Sequence, residues 1–462
     1  MDTITVRASD LCDIKIGNPK RWTESSTTRE WRFFPYYPGY SSEFAEQLLS
    51  SLHLTPDSVV FDPWNGGGTT TYAAHHVGYN AVGIDLNPAM VIVAKARTLS
   101  KLDVPSISNL TTSLLNQAEG RKTSDLEKDP LCVWLSPRSA GYIRAIEVGI
   151  NQTLISSGSY CKLISNAALA QMPPLAAFFY VALFLTTRRL LSDFIPTNPT
   201  WTKKPHTLHN RKRPTQKTVC DTFVSEIQML CQKINASYRP NTKGKKTISL
   251  KLGNAEQTGL ESCSVDAIIS SPPYCTRIDY AIATAIELAV LGLTKNEFDT
   301  LRRSLTGTST VERMTHPVDD RWGRKCTEFL EALYKHPSKA SKGYYFKNHI
   351  QYFHSLFRSL SEIARVLSEQ GSCVLVIQDS RYKEIHNDVP GIVCEMACHW
   401  GLVLVRREDF PTERTMAVLN RNAKKYLSTR ITTESVLCFQ SASVKQEALS
   451  PKNNLEDFYG SK

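Results

Sequence analysis

The sequence predicts an α/β fold: a doubly wound, seven-stranded, mostly parallel sheet carrying a helical insertion. Three observations predict it. Seven short runs of apolar and β-branched residues are bounded by turn signals, and helical patterns stand between several of them. One interval between runs is about 160 residues long, far more than a crossover connection needs.

In chain order the runs are "SVVFDP" (58–63), "NAVGID" (80–85), "TISLKL" (247–252), "VDAIISS" (265–271), "SCVLVIQ" (372–378), "GLVLVRR" (401–407) and "ESVLCFQ" (434–440). Helical spacing covers 42–51, 88–99, 352–367 and 389–399, and strand–helix alternation implies parallel pairing. The long interval separates the second and third runs. Within it, "AALAQMPPLAAFFYVALFLTTRRLL" (167–191) predicts a core helix entered through a Pro-Pro turn, and 219–234 predicts another. The expected division is 1–100 for the first part of the sheet domain, 101–246 for a helical, basic insertion, 247–442 for the rest of the sheet and 443–462 for a polar, frayed tail.

Composition narrows the class. The chain is 41% hydrophobic and 21% charged, with no apolar run long enough to span a bilayer, so no membrane partner is expected. The N-terminus has early acids and no apolar h-region. Twelve cysteines form no CxxC pair, and Cys394 with Cys398 is a lone CxxxC; reduced thiols in a cytoplasmic protein are expected, with no zinc site. A charge of +11 suits a polyanionic partner.

"VVFDPWNGGGTTTYAAHHVGYNAVGIDLNP" (59–88) reads as strand, glycine turn, helix and a second strand ending in an acid. Gly66, Gly67 and Gly68 permit a tight turn and close ligand approach at a helix N-terminus, and Asp85 is placed to accept from ribose hydroxyls. A glycine triplet alone is more often a plain turn; the whole unit carries the nucleotide reading. No GxxxxGK[ST] is present, which argues against a P-loop. Asp62 suits a ligand with positive charge, and so favours S-adenosylmethionine over an anionic dinucleotide.

"SSPPY" also ends a strand, so it can face "FDPW" across the crevice at the strands' carboxyl ends. Two prolines stiffen the corner. Ser271 and the Pro272 carbonyl could accept the hydrogens of an exocyclic amine, turning its lone pair towards a methyl group. Tyr274 could stack on a base turned out of the duplex. Taken alone, SPPY is a strand stop that recurs by chance.

Together, "FDPWNGGGTT" and "SPPY" resemble the cofactor and catalytic motifs of the DNA amino-methyltransferases, which methylate cytosine N4 or adenine N6; SPPY is more typical of the N4-cytosine branch. "FFPYYPGYSSEFAEQLL" (33–49) is similar to the segment that closes over the methionine end of the cofactor, "LKLGNAEQ" (250–257) to the third-strand motif, and 352–380 to the helix and fifth strand. The resemblance implies a Rossmann-like methyltransferase fold, with Asp62, Pro63, Gly66, Gly68, Asp85 and Asn254 binding S-adenosylmethionine. It implies Ser271, Pro272, Pro273 and Tyr274 as the catalytic residues and double-stranded DNA as the partner, within a restriction-modification or defence system in which a cognate restriction endonuclease or defence proteins are candidate partners. The expected insert precedes the third strand, a departure from the class whose target-recognition region follows it.

Carbon-5 methylation is set aside because no cysteine follows a proline; Cys275 is expected to be a structural thiol. For DNA contact the insertion offers Arg188, Arg189, Trp201, Lys203, Lys204, Arg211, Lys212 and Arg213, and the corner offers Arg277. A solvated basic loop is the bland alternative. His386 and Asp388 are read as a loop before an Asp-led helix start. Rival functions are N6-adenine methylation, methylation of RNA or a protein glutamine, and nucleic-acid binding without catalysis.

Overall fold

The computed structural model of the chain describes residues 11–19, 33–35, 39–120, 126–156, 158–196, 201–237, 246–275, 278–311, 316–412 and 432–441. The expected polar tail, 443–462, lies outside them.

Nine strands are described: β1 Val59–Asp62, β2 Asn80–Asp85, β3 Ile248–Leu252, β4 Val265–Ser270, β5 Leu367–Gln378, β6 Ser380–Tyr382, β7 Ile385–Asn387, β8 Leu402–Thr412 and β9 Thr432–Ser441. Seven form one sheet in the order β3-β2-β1-β4-β5-β9-β8, and β6 pairs with β7 alone. β1 through β5 pair in parallel, while β9 runs antiparallel to both β5 and β8. β4 and β5 are buried on both faces, as parallel strands under helices must be, which is why they read as continuous apolar runs. The predicted doubly wound, mostly parallel sheet is therefore the observed one.

From β1 the chain winds outward to β2 and, after the insertion, to β3; it then returns to β4 on the other side of β1. β1 and β4 thus flank the switch point, and the crevice opens at their carboxyl ends. β5 starts at Leu367, earlier than its apolar run, because Leu367 pairs with Val265 ahead of a register shift. The β6–β7 ribbon has strands of three residues, too short to show a period.

The insertion lies between β2 and β3 and is helical: Val104–Glu119, Pro137–Leu154, Asn166–Gln171, Pro174–Leu190 and Gln216–Ser237. Pro174 stands at the first helical position, where its missing N–H costs nothing. That helix is buried all round from Ala176 to Arg188, and each fully buried Phe or Leu contributes roughly 1.5–3 kcal/mol. It packs in one continuous core with the helices Pro88–Ala96 and Ala285–Val290, so the insertion is fused to the sheet's own helical layer.

Two arginines fix that fusion. Arg144 reaches Asp129 and Glu147 and donates to the Val290 and Ala289 carbonyls at 2.6 and 3.0 Å. Arg188 pairs with Glu287 at 2.8 Å; they are 8% and 0% exposed. Removing one partner of a buried pair leaves a stranded charge. Arg188→Met should therefore lose about 3–5 kcal/mol in urea unfolding; a loss under ~1 kcal/mol would show that Glu287 needs no counter-charge.

Candidate active site

The glycine turn is built by backbone demand. Gly66 and Gly68 have φ of 48° and 79°, the left-handed region that favours glycine. A Cβ on Gly68 would also lie 2.9 Å from that of Ala94. Gly68 caps the helix Thr69–Val77, and the Asp85 carboxylate pins the turn from β2. It accepts from the Gly66 N–H and the Asn87 N–H, both at 2.8 Å.

Asp62, at the end of β1, is 4% exposed. One oxygen accepts from the Ser270 hydroxyl at 2.5 Å and the Trp64 N–H at 3.1 Å, and the other accepts from the Thr70 hydroxyl at 2.5 Å. Thr70 in turn meets the Tyr40 hydroxyl at 2.5 Å. Burial pushes the carboxyls of both Asp62 and Asp85 up to about 6, against the pull of these donors.

The Ser-Pro-Pro-Tyr corner follows β4 and is held at almost every residue. The Ser271 hydroxyl donates to the Val376 carbonyl of β5 at 2.8 Å, so its lone pairs remain to accept. Tyr352 donates to the Pro273 carbonyl at 3.0 Å, and the Tyr274 N–H donates to the Tyr280 hydroxyl at 3.1 Å. Gly307 and Gly39 pack so closely that an added Cβ would sit 2.8 Å from the Tyr274 carbonyl and 2.5 Å from Ser271 Oγ. Among the described residues the Pro272 carbonyl accepts no hydrogen bond.

Both groups face one cavity of about 1110 Å³. Asp62, Pro63, Gly66, Asp85 and Asn254 line it together with Ser271, Pro272, Pro273 and Tyr274. Gly68, expected among the binding residues, is not part of the lining and serves the turn itself. Sequence reasoning missed Tyr40, Thr70 and Ser270, which brace Asp62, and Tyr352, which with Tyr280 braces the corner. Only the hydroxyls beside the motifs hinted at the first three; Tyr352 reaches the corner across 79 residues of sequence separation.

The expected basic set divides. Arg188 is removed from it, because its guanidinium is buried against Glu287 and presents nothing to a phosphate. Arg189 is half-exposed and pairs with Glu226 at 2.6 Å, and Lys212 pairs with Asp193. Trp201, Lys203, Lys204 and Arg213 are exposed, while Arg211 is partly buried. Arg277 lies outside the described residues. Asp388 caps the helix Val389–His399 as expected, accepting from the Gly391 N–H at 3.0 Å. Asp279 likewise caps a helix and is held by Arg302 and Ser309.

Asp62 makes stability depend on pH. A carboxyl raised from 3.8 to about 6 binds its proton more tightly folded than unfolded, so folding stability falls as pH rises between those values. Asp62→Asn removes that descent. Relative to wild type, the variant should gain about 2 kcal/mol between pH 4 and pH 7 in urea unfolding; parallel pH curves would contradict the assignment.

No protein-family model matches the chain. It is similar to Type II methyltransferase M.BsoBI of Geobacillus stearothermophilus, 25% identical over 289 residues, which cover 58% of this chain and 54% of that protein. The chain thus spans about half the length of that relative. Type II methyltransferase M.AvaI of Nostoc sp. is 22% identical over 409 residues, covering 83% of this chain and 81% of that protein. Type II methyltransferase M.MjaII of Methanocaldococcus jannaschii is 28% identical over 83 residues, 17% of this chain and 16% of that protein.

Proposed function

We propose that the chain is an S-adenosylmethionine-dependent DNA methyltransferase acting on the exocyclic N4 amine of cytosine, as the modification half of a restriction-modification or defence system. The observation that carries this reading is the shared cavity, in which a glycine turn between two acids faces a rigid corner of hydrogen-bond acceptors. Similarity to Type II methyltransferases supports methyl transfer and, with the exposed basic residues of the insertion, a DNA substrate.

The residues present fit the cofactor. Two buried carboxylates whose protons are held up to about pH 6 favour a cationic ligand over a pyrophosphate. The cavity is large enough for a nucleoside-sized ligand and a base together. When bound, S-adenosylmethionine supplies a methyl group on a sulfonium sulfur. Gly66 and Gly67 would let the backbone approach its methionine end, while Asp85 would hold the ribose and Asn254 the adenine.

An exocyclic amine is a poor nucleophile because its lone pair is delocalised into the ring. Ser271 Oγ, with its own hydrogen committed to Val376, accepts one amine hydrogen, and the unengaged Pro272 carbonyl accepts the other. Both hydrogens are then held to one side, and the lone pair turns towards the methyl group. Tyr274 offers its ring to a base rotated from the duplex. The serine at the head of the corner is what favours cytosine over adenine.

Nucleoside mass spectrometry of DNA from cells expressing the protein should show N4-methylcytosine. Ser271→Ala and Tyr274→Ala should lower it by about 10²-fold or more. N6-methyladenine instead would overturn the choice of base, and no modified base would overturn the enzyme reading. Neutralising Lys203, Lys204 and Arg213 together should weaken DNA binding and flatten its salt dependence. An unchanged salt slope in a binding assay would remove the insertion from the interface.

A further inference from the structure

We propose that the β6–β7 ribbon, with the turn beside it, is a second DNA-contacting surface, gripping backbone phosphates; this rests on the DNA reading above. Sequence reasoning left the ribbon as a loop.

Its pairing is antiparallel, with Ser380 opposite Asn387, Arg381 opposite His386, and Tyr382 opposite Ile385. Period two then sorts the side chains. Ser380, Tyr382 and Asn387 are buried, whereas Arg381 and His386 share the outer face. Lys383 sits at the tip with φ of 52°. Arg381 has no partner among the described residues, and the ribbon's one acid, Glu384, is engaged by His336 at 2.8 Å. His386 is aimed by Asp379 at 2.9 Å.

The ribbon stands at the catalytic corner. It leaves the end of β5 just beyond Val376, whose carbonyl takes the Ser271 hydroxyl. At its base Asn387 donates to Ser380 at 2.9 Å and lies 3.9 Å from the sulfur of Cys275, the residue after Tyr274. Tyr382 anchors its inner face, bonded to Ser338 at 2.5 Å and packed 4.6 Å from the Tyr345 ring. The neighbouring stretch that holds Ser338 and Tyr345 exposes Lys339, Lys342 and Tyr344. Tyr344 donates to the Ser309 carbonyl at 2.8 Å, and Ser309 holds Asp279.

A rigid two-stranded ribbon with outward cations matches duplex DNA in shape and charge, and an arginine fork matches phosphate oxygens. The test is a salt series of anisotropy titrations with a mixed-sequence duplex. It compares the full chain with Arg381→Ala/Lys383→Ala and, separately, Lys339→Ala/Lys342→Ala. Each pair should bind about tenfold more weakly at low salt and lower the slope of log K against log salt by about 2, with Tm unchanged. Wild-type slopes in both folded variants overturn the ribbon proposal while leaving the DNA reading intact. A wild-type chain that binds no duplex at any salt overturns both.

Discussion

The Asp62 carboxylate is the tie on which the site depends. β1 and β4 part company in chain order at this point, and nothing in the sheet ladder fixes what lies beyond their ends. Asp62 supplies the fixing: one oxygen takes Ser270 from β4, and the other takes Thr70 from the helix behind the glycine turn. Through Thr70 it also reaches Tyr40, in the segment ahead of β1. Burying a carboxylate this deeply is unfavourable, as its pKa of about 6 records, and it is tolerated because three donors converge on it. Ser271 follows Ser270 directly, so the tie also sets where the corner begins.

From there rigidity is passed along the corner by unlike means. A hydroxyl on β5's backbone carbonyl orients Ser271, a buried tyrosine holds Pro273, and two glycines allow neighbouring backbone to press against it. The prolines remove donors that would otherwise compete for the acceptors. The insertion reinforces this from a distance. Arg144 and Arg188 clamp it to the helix Ala285–Val290, which follows the corner in the chain. The insertion and the helices Pro88–Ala96 and Ala285–Val290 thereby share one continuous core.

The sheet was legible because its strands are apolar and β-branched runs bounded by turn signals, continuous where helices cover both faces, and all seven runs became strands. The β6–β7 ribbon was hidden because three residues cannot display a period. The motif residues on both sides of the cavity were legible because their chemistry needs rare residue types at turns. Their braces were not: Tyr352, Gly307 and Gly39 are ordinary residues until the fold brings them to the corner. Arg188 misled because a basic run carries no mark of burial; Glu287, its partner, lies 99 residues away.

Asp62 and its partners hold the Ser271 and Pro272 acceptors on the cavity wall across from the glycine turn. A crystal structure with S-adenosylmethionine bound tests it most directly. The adenosyl group should lie between Asp85 and Asn254 with the methyl directed at the space before Ser271 Oγ and the Pro272 carbonyl, leaving room for an amine nitrogen ~3–3.5 Å from it. A methyl group directed away from that corner, or a cofactor bound elsewhere in the cavity, would contradict it.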